Sequence, residues 1–316
     1  MRVLVTGAAG RLGAACVAAL ADAGHDVRAL EHRRPVTPVP GRRVEVRQGT
    51  PADPATAADL TRDVDAVVHC AFRFAPHPPA DYRRDNLDAA LRLMEHGHAN
   101  GVRTFVQVSS VMVYGLDPGA GTDPVPETRS PADVAEVLDP YPAMKIELER
   151  RLRGSAERLG VNLVVVRPGI LFDERTPPVV RTVGRVGLLV GAGRNHLPFV
   201  HTADVADLVR RAVEDGRPAV YHAAPVRPAA ALPFARAWCR RHAPGLRVLP
   251  VPRSAYAALG LLTWSAARAR GRPARWPNLR YGIRRATRDL RYDVTGARAL
   301  GWVDTHTRTV QEGTNR

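Results

Sequence analysis

The stretch Thr6-Gly7-Ala8-Ala9-Gly10-Arg11-Leu12-Gly13 stands between a short apolar run at 3–6 and a helical pattern at 11–23 that stops at Gly24. Its glycines recur at a period of three. The first permits a tight turn, the second lets the backbone approach a pyrophosphate, and the third lets the helix pack against the strand. The helix N-terminus then faces the anion with its free amides. Glycine spacing alone is a weak signal, but strand, turn and helix in this order point to a dinucleotide. Thr6, Gly7, Gly10, Arg11, Leu12 and Gly13 are the candidate contacts.

Outward from this turn, apolar runs at 27–30, 44–47, 66–70, 105–109 and 162–167 alternate with helical patterns at 86–100 and 139–159. Continuous apolar runs between helices indicate parallel strands covered on both faces. The fold class is α/β: a Rossmann-type, doubly wound parallel sheet. Residues 1–170 form the dinucleotide-binding domain, with a return segment near 199–222. Residues 171–316 form a smaller, mainly helical C-terminal substrate lobe, with Trp238, Tyr256, Trp264, Trp276 and Tyr281 on its helices. The second run ends Leu30-Glu31-His32-Arg33-Arg34. Glu31 at that strand end would accept from an adenosine ribose and favours NAD. Arg33 and Arg34 could instead grip a 2′-phosphate, which keeps NADP open.

The chain has forty-five arginines and one lysine, Lys145, four residues after Tyr141. Four residues on a helix place both on one face. A cation there should lower a phenol from its usual ~10 and make it an acid/base near neutral pH. Pro140 and Pro142 are tolerated only in a first helical turn, and Asp139 is a natural N-cap. Tyr141 should therefore open its helix at the mouth of the sheet.

The net charge is +15. We read the excess as spread along the chain by a composition bias towards arginine, which argues against a nucleic-acid partner. The densest basic zone, 268–298, holds ten arginines against Asp289 and Asp293. It is a solvated face or a surface for anionic substrates or lipid headgroups. Cys16, Cys70 and Cys239 are odd in number and lack metal spacing, so a reducing, cytoplasmic setting and no metal are expected. No secretory signal and no apolar run of membrane-spanning length is evident.

These motifs resemble the extended branch of the short-chain dehydrogenase/reductase superfamily, the NAD-dependent epimerase/dehydratase group. Thr6–Gly13 is similar to its TGxxGxxG. His69-Cys70-Ala71 resembles HxA, and Ser109-Ser110-Val111-Met112-Val113-Tyr114-Gly115 resembles SSxxVYG. Tyr141 to Lys145 matches YxxxK, and Arg167-Pro168-Gly169 and 199–206 resemble later landmarks. The resemblance implies that Tyr141 is the catalytic acid/base, that Lys145 holds the nicotinamide ribose, and that Ser110 binds the substrate oxygen. Ala71, Asn86, Ser109, Pro168, Gly169 and Ile170 would line the cofactor, and family habit suggests a homodimer.

Departures bear on the substrate. Ile170 and Leu197-Pro198 replace polar groups that sugar-nucleotide epimerases use, and Val111 and Met112 replace the acidic pair of sugar dehydratases. Thr50-Pro51 replaces the usual acid near adenine. Phe72, Met112, Leu171 and Phe172 make an apolar surround for a small-molecule substrate. The second lobe resembles 3β-hydroxysteroid dehydrogenase-like members, and its apolar stretch could contact a membrane peripherally. The first expectation is an oxidoreductase interconverting a secondary alcohol and a ketone. The rivals are an epimerase with a transient keto intermediate and a non-catalytic dinucleotide sensor.

Overall fold

A computed structural model describes residues 1–316 apart from 38, 75–77, 116–123, 135–136, 138, 180, 272–282, 285 and 316. Trp276 and Tyr281 lie outside the described residues. The main sheet takes β1 (Arg2–Thr6), β2 (Asp26–Glu31), β3 (Val44–Gln48), β4 (Ala66–His69), β5 (Thr104–Val108) and β6 (Asn162–Pro168). After four strands of the lobe comes its last member, β11 (Ala219–Ala223). The order is β11-β6-β5-β4-β1-β2-β3, and every pairing is parallel. The chain winds one way from β1 to β3 and the other way from β4, so the switch point falls between β1 and β4. Ligands of such sheets bind there, at the carboxyl ends of the strands.

Alternation along β1 divides the core. Val3 and Val5 join one buried cluster and Leu4 joins another. The first cluster includes α1 (Arg11–Asp22) and α6 (Thr202–Asp215), through Leu12, Cys16, Leu20, Val205 and Leu208. The second is covered by α2 (Pro54–Leu60), α4 (Ala89–Ala99) and α5 (Pro140–Leu159), through Leu60, Leu93, Leu148 and Leu152. Both faces are covered, which is why the inner strands are continuously apolar. A short helix α3 (Pro79–Arg83) runs into a π turn, Arg84–Asp88, before α4. The single helix expected at 86–100 therefore carries a widened first turn.

The lobe mixes helices with short strands. β7 (Ile170–Phe172) pairs with β10 (Phe199–His201). β8 (Arg181–Val183) pairs with β9 (Val186–Val190), and β9 with β12 (Arg247–Val251). Strands of three to five residues leave too little periodicity to be read beside the lobe's helices. These helices are α7 (Ala231–His242), α8 (Arg253–Ala269), α9 (Thr295–Ala299) and α10 (Thr305–Glu312). Buried Asp204 on α6 ties α10 to the sheet: its carboxylate accepts from Thr307 N at 2.8 Å, Thr307 Oγ1 at 2.6 Å and His306 N at 3.0 Å. Among the described residues, no helix is long and apolar enough to cross a membrane.

Candidate active site

A cleft of about 580 Å³ opens over the carboxyl ends of β1, β4 and β5. Its floor is the glycine turn. Gly7 has φ +68°, and a Cβ there would meet Ala71 N at 2.7 Å. A Cβ on Gly13 would lie 2.1 Å from Gly7 O. These two positions must be glycine for the turn to close and for α1 to pack against it. Gly10 donates to Gly7 O at 2.8 Å, and as N-cap of α1 it offers no side chain. The first amides of α1 thus stay available, and the cradle fits a pyrophosphate. Leu12, Ala71, Pro168 and Gly169 also line the cleft, with Arg33 and Arg34 at the β2 end. Arg11 lines it too and reaches towards the lobe, with Nη1 3.6 Å from Asp173 Oδ2.

Ser110, Tyr141 and Lys145 line the same cleft. Helix α5 starts at Pro140, where a missing N–H costs nothing, and Asp139 Oδ1 accepts from Tyr141 N at 2.9 Å. That cap places the phenol in the first turn and the amine one turn deeper. Ser110 lies just beyond β5 and lines the cleft together with Tyr141. Lys145 Nζ donates to Val108 O at 2.8 Å and sits 4.3 Å from the centroid of the Phe72 ring. Burial brings its pKa down to about 8, opposed by the neighbouring Cys70 and Glu149.

The phenol itself behaves differently from the sequence expectation. Burial pushes Tyr141 above its ordinary value, the Ser110 hydroxyl pulls it down, and Asp139 adds to the rise. Lys145 does not lower it here. The ammonium is committed to the Val108 carbonyl and the Phe72 ring, and that ring also packs edge-on against Tyr141 at 5.1 Å.

Several predicted site residues stand elsewhere. Thr6 is buried behind the turn, where its Oγ1 meets His69 Nδ1 at 2.8 Å and accepts from Ala71 N at 3.3 Å. It fixes β1 to β4 and does not line the cleft. Glu31 is turned to its own loop: Oε2 accepts from Val36 N at 2.9 Å, while its neighbours Leu30 and His32 line the cleft. Asn86 is wholly buried in the π turn. Its Oδ1 accepts from Arg73 N at 2.7 Å, and its Nδ2 donates to Arg73 O and Tyr82 O at 3.0 Å. It clamps the loop after β4 and so sets Phe72. Phe172 lies in the large core cluster, packed on His201 and Phe234. Met112 packs against the core cluster, with its amide donating to Ser110 Oγ at 3.2 Å. Ile170 is 41% exposed and outside the cleft lining.

Sequence reading missed Phe74, which stacks on Tyr141 at 5.3 Å, and the Arg73–Asp85 ion pair at the rim. No periodicity marks them, because they sit in a loop set by Asn86. It also missed a buried polar chain behind the site. Ser109 Oγ donates to Glu149, whose carboxylate takes a forked pair from Arg167 at 2.6 and 3.2 Å. Arg167 Nη1 also donates to Tyr114 Oη at 2.5 Å, which meets His222 Nε2 at 2.6 Å. His222 Nδ1 then reaches Asp293 O at 2.7 Å. Among the described residues, no group of His, Cys, Asp or Glu could hold a metal ion.

The glycine cradle and Ser110, Tyr141 and Lys145 share one cleft. The profile of the "NAD dependent epimerase/dehydratase family" matches residues 3–224. The chain belongs to this family. It is an NAD-dependent enzyme class of the extended short-chain dehydrogenase/reductase superfamily. The chain is similar to a UDP-glucose 4-epimerase of Erwinia amylovora, 30% identical over 171 residues, which cover 50% of this chain and 49% of that protein. It is also similar to a 3 beta-hydroxysteroid dehydrogenase/Delta 5-->4-isomerase of Mycobacterium tuberculosis H37Rv, 28% identical over 218 residues, 63% of this chain and 57% of that protein. The match spans about half the length of these curated relatives. The crystal structure of a UDP-glucose 4-epimerase with UDP-glucose from Thermotoga maritima superposes with a TM-score of 0.73 at 19% identity, covering 100% of this chain and 98% of that one. That likeness speaks for the fold.

Proposed function

We propose that this family member interconverts a secondary alcohol and a ketone on a small, largely apolar molecule, with NAD held over the glycine turn. The observation that carries the reading is the convergence of Ser110, Tyr141 and Lys145 on the cleft floored by Gly7, Gly10 and Gly13. NAD, when bound, accepts or supplies the hydride. Gly7, Gly10 and Gly13 would cradle its pyrophosphate, with Arg33 and Arg34 near the adenosine end. Tyr141 would give a proton to, or take one from, the substrate oxygen, and Ser110 would steady the charge that grows there. The buried Lys145 amine, charged below about pH 8, would hold the ribose beside that proton transfer. Leu171 and Phe74 give the cleft an apolar side, whereas Phe172 and Met112 support it from behind.

Absorbance at 340 nm tests this. Incubation with NAD and a panel of apolar secondary alcohols, or NADH and the matching ketones, should give net turnover. Tyr141→Phe should lower it by roughly a hundredfold or more while dinucleotide binding persists. The epimerase relatives support a second reading, in which the same phenol serves a transient ketone. Isomerised sugar nucleotide without net NADH would replace our reading with that one. A Tyr141→Phe variant with full activity would remove both.

A further inference from the structure

The positive charge is not spread along the chain as the composition suggests. Residues 216–288 contain fifteen arginines and no aspartate or glutamate. The other thirty-one basic residues balance the thirty-one acidic ones, so this segment carries the whole net charge of +15. Composition bias alone would not empty one segment of acids while leaving the rest neutral.

Helix α8 lies in the middle of this segment, and none of its residues is buried. Its outward positions Ala255, Ala258, Leu261, Leu262 and Ser265 recur at helical spacing and carry no charge. Leu262 is 67% exposed. The contrast within the molecule is plain: α6 turns Asp207, Arg210, Arg211 and Glu214 outward in a web of ion pairs, as a solvated helix does. On α8 the charges are only at the ends. Arg253 opens the helix beside Arg284 and Arg288 in a shallow cleft, and Arg268 closes it with its guanidinium 5.7 Å from the Trp264 ring. Arg270 follows at the C-cap.

We infer that α8 is a docking face for an anionic lipid bilayer, lying in the plane of the interface. The apolar outer stripe would enter the boundary between headgroups and acyl chains, and the arginines at both ends would meet lipid phosphates. A second copy of this chain does not fit the face, because it would set two acid-free arginine segments against each other. A nucleic acid would reward the arginines but leave the leucines in water. A bilayer with acidic headgroups rewards both. The inference does not depend on the reaction proposed above.

Co-sedimentation with vesicles tests it at about 0.15 M salt, where exposed charges more than about 8 Å apart are screened. The full chain should bind phosphatidylcholine vesicles containing phosphatidylglycerol, and phosphatidylcholine alone far less. Leu261→Ser with Leu262→Ser, which leaves charge untouched, should weaken binding about tenfold. Arg268→Gln with Arg270→Gln should also weaken it. Arg42→Gln with Arg43→Gln, an equal loss of charge in the loop before β3, should not. Circular-dichroism melts matching the parent chain would show that the leucine pair still folds. Absence of binding to the acidic vesicles would overturn the proposal. So would binding indifferent to the leucine pair, which is bulk attraction, or tighter binding to duplex DNA than to vesicles. A dimer in sedimentation equilibrium that the leucine pair dissociates would assign the face to a second copy.

Discussion

Lys145 illustrates how one residue keeps its charge in surroundings that disfavour it. The unfolded chain keeps its proton up to the ordinary 10.5, and the folded chain only up to about 8. Between those values the unfolded state binds more protons, so this residue makes stability rise with pH there, and its full cost falls below pH 8. Lys145→Met should therefore stabilise the chain at pH 7, by about 2 kcal/mol, and the margin should shrink as pH passes 8 towards 10.5. Urea melts across that range check it, and a margin that does not move with pH would contradict the burial argument. The same residue shows what sequence can and cannot yield. A lone lysine four positions after a tyrosine, among arginines, announces chemistry. Its partners, Val108 O and the Phe72 ring, come from a strand and a loop far along the chain, and no spacing rule reports them.

At the scale of elements, the helix start decides where the chemistry sits. Asp139 caps α5 through Tyr141 N, so the cap and the proposed acid/base share one turn. Asp139→Ala should cost about 1 kcal/mol in stability and lower turnover several-fold, with Asp139→Asn restoring both; paired melts and 340 nm rates would show it. The glycine turn and this cap were legible because backbone conformation fixes them: positive φ, missing N–H groups and free amides each demand a residue type. Glu31 and Asn86 point elsewhere than the sequence suggests for the opposite reason. Each occupies the anticipated place in its element, but its direction is set by a neighbouring loop, 32–36 for Glu31 and 71–74 for Asn86. Ser109 and Ser110 split similarly: consecutive residues in extended backbone face opposite ways, so Ser109 meets Glu149 while Ser110 caps the turn at Met112 N.

Across the whole molecule, one buried polar chain joins the sheet to the C-terminal segment, from Ser109 through Glu149, Arg167, Tyr114 and His222 to Asp293 O. Glu149 and Arg167 are both almost wholly buried. Arg167→Met alone should cost about 3–5 kcal/mol, because it strands the carboxylate, whereas Glu149→Leu with Arg167→Met should cost much less. A double-mutant cycle in denaturant measures the difference, and additive losses would show that the two groups are not coupled. The doubly wound sheet was readable from the alternation of apolar runs and helices. The lobe's three-stranded sheet was not, since its strands are too short to carry a pattern and their partners are distant in sequence.

The scarcity of lysine has a practical corollary. A protease that cuts only after lysine has a single bond to attack in this chain, at Lys145. That bond lies inside α5, and its side chain is sealed under the Phe72 ring. Cleavage into two fragments would then report, without any label, each time the helix bearing the phenol peels away from the sheet.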